Sequence, residues 1–150
     1  MSLQSQAVGV AQALCRVFEG FRSRPYLCPA GVPTIGYGAT TYLTGTPVKL
    51  GDPAITKTEA DVMLRQSLER VYVPAAALAV PTANTPERLG ALADFAFNLG
   101  TTRLRGSTLR RRALAGDWDG VKIELRKWNR GGGRVLPGLD RRRKAEADLV

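Results

Sequence analysis

Apolar residues at Ala7, Ala11, Leu14, Cys15 and Phe18 recur with a helical period, so the spacing predicts an N-terminal helix over about 4–19 with one buried face. At 100° per residue Glu19 lies just off the edge of that stripe. That margin between core and solvent is where partial desolvation raises a carboxyl pKa. From about 25 to 53 the pattern changes, because Pro25, Pro29, Gly31, Pro33, Gly36 and Gly38 and the glycines and prolines after them interrupt any helical period. Runs at 32–37 and 40–43, rich in β-branched and aromatic residues, read as brief strands joined by turns.

Helical spacing resumes with a capping box, Thr56-Lys57-Thr58-Glu59, ahead of Ala60, Met63, Leu64, Leu68, Val71 and Ala75. A long helix to about Ala79 is expected, kinked or divided at Pro74. Thr85-Pro86-Glu87 reads as an N-cap with proline in the first turn, Leu92, Phe95, Ala96 and Leu99 as a buried face, and Gly100 as the stop. Shorter helices follow at 107–114, around Trp118 to Trp128, and over 137–149, divided by Gly116-Asp117 and Gly131-Gly132-Gly133. At helical spacing both tryptophans read as core, and the basic clusters at 110–112 and 141–144 as solvated faces with partly buried stems. The pattern is α+β: one domain over 1–150, with a small β-hairpin lobe at about 25–53 and a predominantly helical lobe at about 57–149.

Composition removes some chemistry from this picture. The 150 residues include no histidine and only two cysteines, Cys15 and Cys28. A zinc site and a histidine-based triad are therefore excluded, and no metal or cofactor is expected. Two thiols make no disulfide framework, and Cys15 on an apolar face reads as a buried thiol rather than as half of a bridge to Cys28. The net charge of +9 is uneven: residues 1–100 hold 8 basic and 7 acidic residues, residues 101–150 hold 14 and 6. Such a field concentrates anionic polymers as well as keeping a surface soluble. No run approaches the length of a membrane span, and the N-terminus lacks an export-signal pattern, although a segment ahead of Met-Ser-Leu could have been removed.

Glu19 is the only acid before Asp52, so a general acid in the first third must be this residue. Glu19-Gly20, Cys28 after eight intervening residues and Thr34 after five more, running into Thr34-Ile35-Gly36-Tyr37-Gly38, resemble the active-site segment of the phage lysozyme or endolysin family, glycoside hydrolase family 24. Later stretches resemble the family's motifs in the same order: 92–100, Ser107-Thr108-Leu109, and Trp128 followed by 131–139, Arg141 to Arg143 and Glu146. The resemblance implies a lysozyme-like α+β fold with an active-site cleft between its lobes, and hydrolysis of the β-1,4 bond between N-acetylmuramic acid and N-acetylglucosamine. It places the catalytic positions on Glu19 as general acid, on Cys28 where the family usually has Asp, and on Thr34 as holder of the attacking water. Gly36, Tyr37 and Asn98 fall on positions lining the sugar cleft. Ala39 stands where the family typically has His.

A Cys28 thiolate could polarise water or attack the sugar carbon, and Arg22 and Arg24 are the cations near enough in sequence to favour it. The resemblance further implies a monomer with peptidoglycan as its partner, held in the bacterial cytoplasm and released to the wall at lysis. Nucleic acid is not expected as a partner. Three readings compete: a lytic transglycosylase, a non-catalytic cell-wall-binding or virion relative, and a basic nucleic-acid-binding module. Thr34 at the water-holding position favours hydrolysis over the first. The last lacks a helix-turn-helix, RNA-binding or zinc pattern to support it.

Overall fold

The N-terminal stripe forms helix α1, Leu3–Glu19, with Ala7, Ala11 and Cys15 fully buried. It ends at Gly20, whose φ of 70° is the left-handed conformation that stops a helix at little steric cost. The computed structural model describes residues 1–150. The chain divides into two compact units, a smaller one of residues 15–67 and a larger one of residues 1–14 with 68–150.

In the smaller unit, strand β1, Arg22–Leu27, pairs antiparallel with β2, Pro33–Gly36. Tyr26 lies opposite Thr34 and Leu27 opposite Pro33, while the register shifts between Arg22 and Tyr26. The loop closes because Cys28 donates its N–H to the Val32 carbonyl at 3.1 Å and Gly31 donates to that of Cys28 at 2.8 Å. Gly31 has a φ of 76°, the left-handed residue that a three-residue hairpin loop needs. The strand expected at 40–43 does not form. Ile35 and Ala39 exchange both backbone bonds at 2.8 and 2.9 Å, and Tyr42 then bonds Thr46 at 2.9 Å, so the chain reverses twice within a few residues. Only an isolated bridge, Thr41 to Pro47, remains. Ile35, Val48 and Met63 make this unit's core, with Ala39, Tyr42 and Ile55 packed on it. The capping box is real: Thr56 Oγ1 accepts the Glu59 N–H at 3.1 Å and helix α2, Lys57–Ser67, follows.

The expected long helix to Ala79 is divided. A π-helical turn, Leu68–Tyr72, precedes α3, Val73–Ala79. Pro74 has no N–H to give to the preceding turn, and the wider π turn accommodates the missing bond. Helix α4, Pro86–Leu99, is capped by Thr85, whose Oγ1 accepts the Arg88 N–H at 3.1 Å, and Gly100 closes it onto the Ala96 carbonyl. At Gly90 a Cβ would stand 2.6 Å from Val10, so α1 and α4 meet there at backbone distance. Then come α5, Thr101–Arg105, α6, Thr108–Leu114, and α7, Trp118–Arg126, followed by a two-residue hairpin of β3, Arg130–Gly131, and β4, Arg134–Val135, and by α8, Pro137–Ala147. Sequence periodicity shows neither α5 nor the second hairpin, both too short to carry a pattern.

The basic clusters depart from the solvated faces expected of them. Arg110 donates Nε–H to the Ala79 carbonyl at 2.8 Å, satisfying the end of α3. Arg142 and Arg143 are buried, at 3% and 0% exposure. Arg142 clamps Asp94 on α4 through Nε and Nη2 at 2.9 and 2.8 Å, and Arg143 Nη2 meets Glu146 Oε1 at 2.7 Å. Trp118 and Trp128 are half-buried, Trp128 standing edge-on to Phe95 at 5.5 Å.

Candidate active site

Glu19 is the last residue of α1 and is half-buried. The helix brings its carboxylate against the backbone of Gly38, where a Cβ would lie 3.5 Å from Glu19 Oε2. Gly38 has a φ of 88°, so both the turn and the approach of the acid favour glycine. The final glycine of the Thr-Ile-Gly-Tyr-Gly run is therefore part of the acid's setting. The recurrence of glycine at turn positions was visible in sequence, but its proximity to the acid was not.

The β1–β2 hairpin supplies the facing groups. Opposed residues of an antiparallel pair project to the same side, and so do residues two apart on one strand. Tyr26 opposite Thr34 therefore places those two on one face, and Cys28, in the loop just past β1, lies beside the Thr34 hydroxyl. The Cys28 thiol is partly exposed, and neither it nor the buried Cys15 is in a disulfide. Its pKa is held below the ordinary value, chiefly by a hydrogen bond from the Val32 amide, against a smaller rise from desolvation. The Ala30 amide, the Thr34 hydroxyl and the residue's own amide add to the lowering. The loop amides thus favour the charged form of the sulfur, while the Cys28 N–H closes the loop onto the Val32 carbonyl. Arg22 and Arg24, expected from sequence to favour the thiolate, are not the cause.

Thr34 is buried at 3% exposure, and its hydroxyl donates to the Val32 carbonyl at 2.9 Å. A hydroxyl carries one proton, so it cannot serve that carbonyl and a Cys28 thiolate together. Loss of the thiol proton therefore favours rotation of the Thr34 hydroxyl toward sulfur. The two side chains form a coupled pair.

Gly36 is buried with a φ of 67°, and a Cβ there would meet Ala60 Cβ at 3.0 Å. Close approach of α2 is thus one reason for glycine at this position. Tyr37 is 4% exposed, with its ring 5.8 Å from that of Phe21. Ala39 packs on the apolar core with Tyr42 and Ile55, which accounts for an apolar residue there. Glu19, Cys28, Thr34, Gly36 and Tyr37 all belong to the smaller unit, whereas Asn98 is on α4 in the larger one. Asn98 is half-buried, and its side-chain oxygen is buried without a hydrogen-bond partner.

The family profile described as phage lysozyme matches residues 16–146, which includes every one of these positions. This chain belongs to the phage lysozyme family. An endolysin of Acyrthosiphon pisum secondary endosymbiont phage 1 is 35% identical over 141 residues, spanning 91% of each chain. Among solved structures, the endolysin from Escherichia coli O157:H7 phage FAHEc1 superposes with a TM-score of 0.81 at 32% identity, covering 99% of this chain and 92% of the other. The muramidase domain of SpmX from Asticaccaulis excentricus superposes at 0.76 with 30% identity, covering 93% and 92%. The mostly helical α+β architecture with small antiparallel hairpins is thus that of phage lysozymes. Sequence spacing gives no sign of the buried Asp94–Arg142 and Arg143–Glu146 pairs of this lysozyme fold.

Proposed function

We propose that this phage-lysozyme-family chain hydrolyses the β-1,4 bond between N-acetylmuramic acid and N-acetylglucosamine, using Glu19, Cys28 and Thr34. Degradation of peptidoglycan by a glycoside hydrolase, for host lysis, follows from the family. The assignment of residues rests on one observation, the closeness of Cys28 and Thr34 on a single hairpin, with the thiol pKa held below its ordinary value. This is a Glu-Cys-Thr version of the family's usual Glu-Asp-Thr set.

Glu19 gives a proton to the glycosidic oxygen, which leaves with the bonding pair as the aglycone hydroxyl. Thr34 holds a water, and the Cys28 thiolate takes a proton from it as the water oxygen bonds to the anomeric carbon. One water is consumed and the sugar leaves with a reducing end. Return of the proton from Cys28 to Glu19 through solvent completes the cycle. Gly36, Tyr37 and Asn98 are proposed as sugar-contacting positions. The protein works as a monomer with the wall polymer as its partner, without cofactor or nucleic acid, and over 1–150 acts as one lysozyme domain. It collects in the host cytoplasm and reaches the wall at lysis. No helix is long and apolar enough to cross a membrane.

Glu19→Gln tests the acid. Since general acid–base catalysis contributes about 10²–10⁴-fold, release of reducing ends from purified sacculi should fall at least about 100-fold with an unchanged circular dichroism spectrum. Turnover within a few-fold of wild type would remove Glu19 from the mechanism.

A further inference from the structure

We propose that Arg22, held over the ring of Tyr26, binds a carboxylate on the muramyl side chain of the substrate, so that the face carrying Cys28 and Thr34 also selects an acidic strand. The inference rests on the proposed reaction at this face and adds the substrate group it reads. Arg22 opens β1 opposite Gly36, and its guanidinium carbon lies 4.4 Å from the centroid of the Tyr26 ring. Tyr26 is half-buried and directly opposite Thr34, so the stack extends the hairpin face that holds the reacting groups. Arg22 is exposed, and no carboxylate of this chain pairs with it or with Arg24 two residues on.

Stacking on an aromatic ring restrains the guanidinium while leaving its in-plane N–H groups directed outward, the arrangement that grips a carboxylate through two parallel hydrogen bonds. The Tyr26 phenol is raised above its ordinary pKa, mainly by burial, with Glu19 and Cys28 adding to the rise and Arg22 opposing it. All three charged groups therefore act on this one ring. Every muramic acid carries a lactyl ether, usually extended by a peptide with free carboxylates, so an anionic group accompanies each bond to be cut. Thr34 and Cys28 act at the sugar, whereas Arg22 answers to its substituent.

The test compares kcat/KM on native sacculi and on sacculi whose carboxylates have been amidated with carbodiimide and ammonia. Wild type should prefer the native polymer, and Arg22→Gln should reduce that preference about tenfold, the effect of losing a charge-assisted hydrogen-bonded pair. Arg22→Lys, which keeps the charge but not the fork, should fall between. Arg134→Gln removes the same charge from the exposed β4 strand of the other unit and should leave the ratio as it is. The proposal is overturned if Arg22→Gln keeps the wild-type ratio, including by losing activity equally on both polymers, or if Arg134→Gln lowers the ratio as much. Failure of the catalytic reading shows separately, as Glu19→Gln turning over either polymer.

Discussion

A sulfur at position 28 differs from a carboxylate in when it ionises. An ordinary thiol titrates near 8.5, more than four units above an aspartate. The amides of Val32 and Ala30 and the Thr34 hydroxyl pull Cys28 below its ordinary value. For such a depressed acid the charged form is present above the folded-state pKa and is lost as pH falls through it. Alkylation of Cys28 by iodoacetamide should therefore show a midpoint below that of an ordinary exposed thiol measured alongside it, while buried Cys15 stays unlabelled until the chain unfolds. The acid limb of lytic activity should follow the same midpoint. Cys28→Asp should move that limb to lower pH, and Cys28→Ala should lower activity strongly above the wild-type midpoint. A Cys28→Ala variant as active as wild type would make the residue packing. The spacing from Glu19 to Thr34 is what singles out position 28 in the sequence. The origin of its ionisation was not legible there, because amide directions are set by Gly31 in its left-handed turn and leave no trace in residue order.

Among the elements, α8 departs most from its sequence pattern. A run of Arg141, Arg142, Arg143 and Lys144 counts as a solvated face when only the charges are read, yet two of the four are buried against α4. Their partners explain it: Asp94 lies 48 residues away and Glu146 three residues on, on the same buried side. Local periodicity cannot reveal a pairing set by tertiary contact. By contrast Thr56, Thr85 and Gly100 were readable, since capping is settled within four residues.

Burial pushes the Glu146 carboxyl well above its ordinary pKa, and the adjacent Asp94 pushes it further, although Arg143 and Arg142 oppose the shift. The sign follows from linkage. A carboxyl with a folded pKa above its unfolded one holds its proton in the fold, so stability is fullest below about 4.5 and declines as pH rises toward the folded value. Glu146→Gln should abolish that decline. Urea melts from pH 4 to pH 8 check it: the wild-type midpoint should lose ground with rising pH relative to the Gln variant. Parallel curves would contradict the assignment.

Over the whole molecule, the order of a helix, a small β region and a mostly helical remainder was plain from the change of hydrophobic period at 25 and at 57. The division into two compact units was less so, since it falls inside continuous helical pattern, at Leu14 and at Ser67. The charge divides with it. The larger unit holds 16 basic and 9 acidic residues, net +7, and the smaller unit 6 and 4, net +2. The smaller unit, which carries Glu19, Cys28 and Thr34, is thus the less charged, while most of the field that concentrates an anionic wall polymer comes from the other. In the proposed reaction the face carrying Thr34 delivers water to a sugar carbon. Digestion of purified sacculi in oxygen-18 water, followed by mass spectrometry of the released muropeptides, tests it directly. Hydrolysis yields reducing-end muramic acid carrying one oxygen-18 atom; a 1,6-anhydromuramic product without label would contradict it.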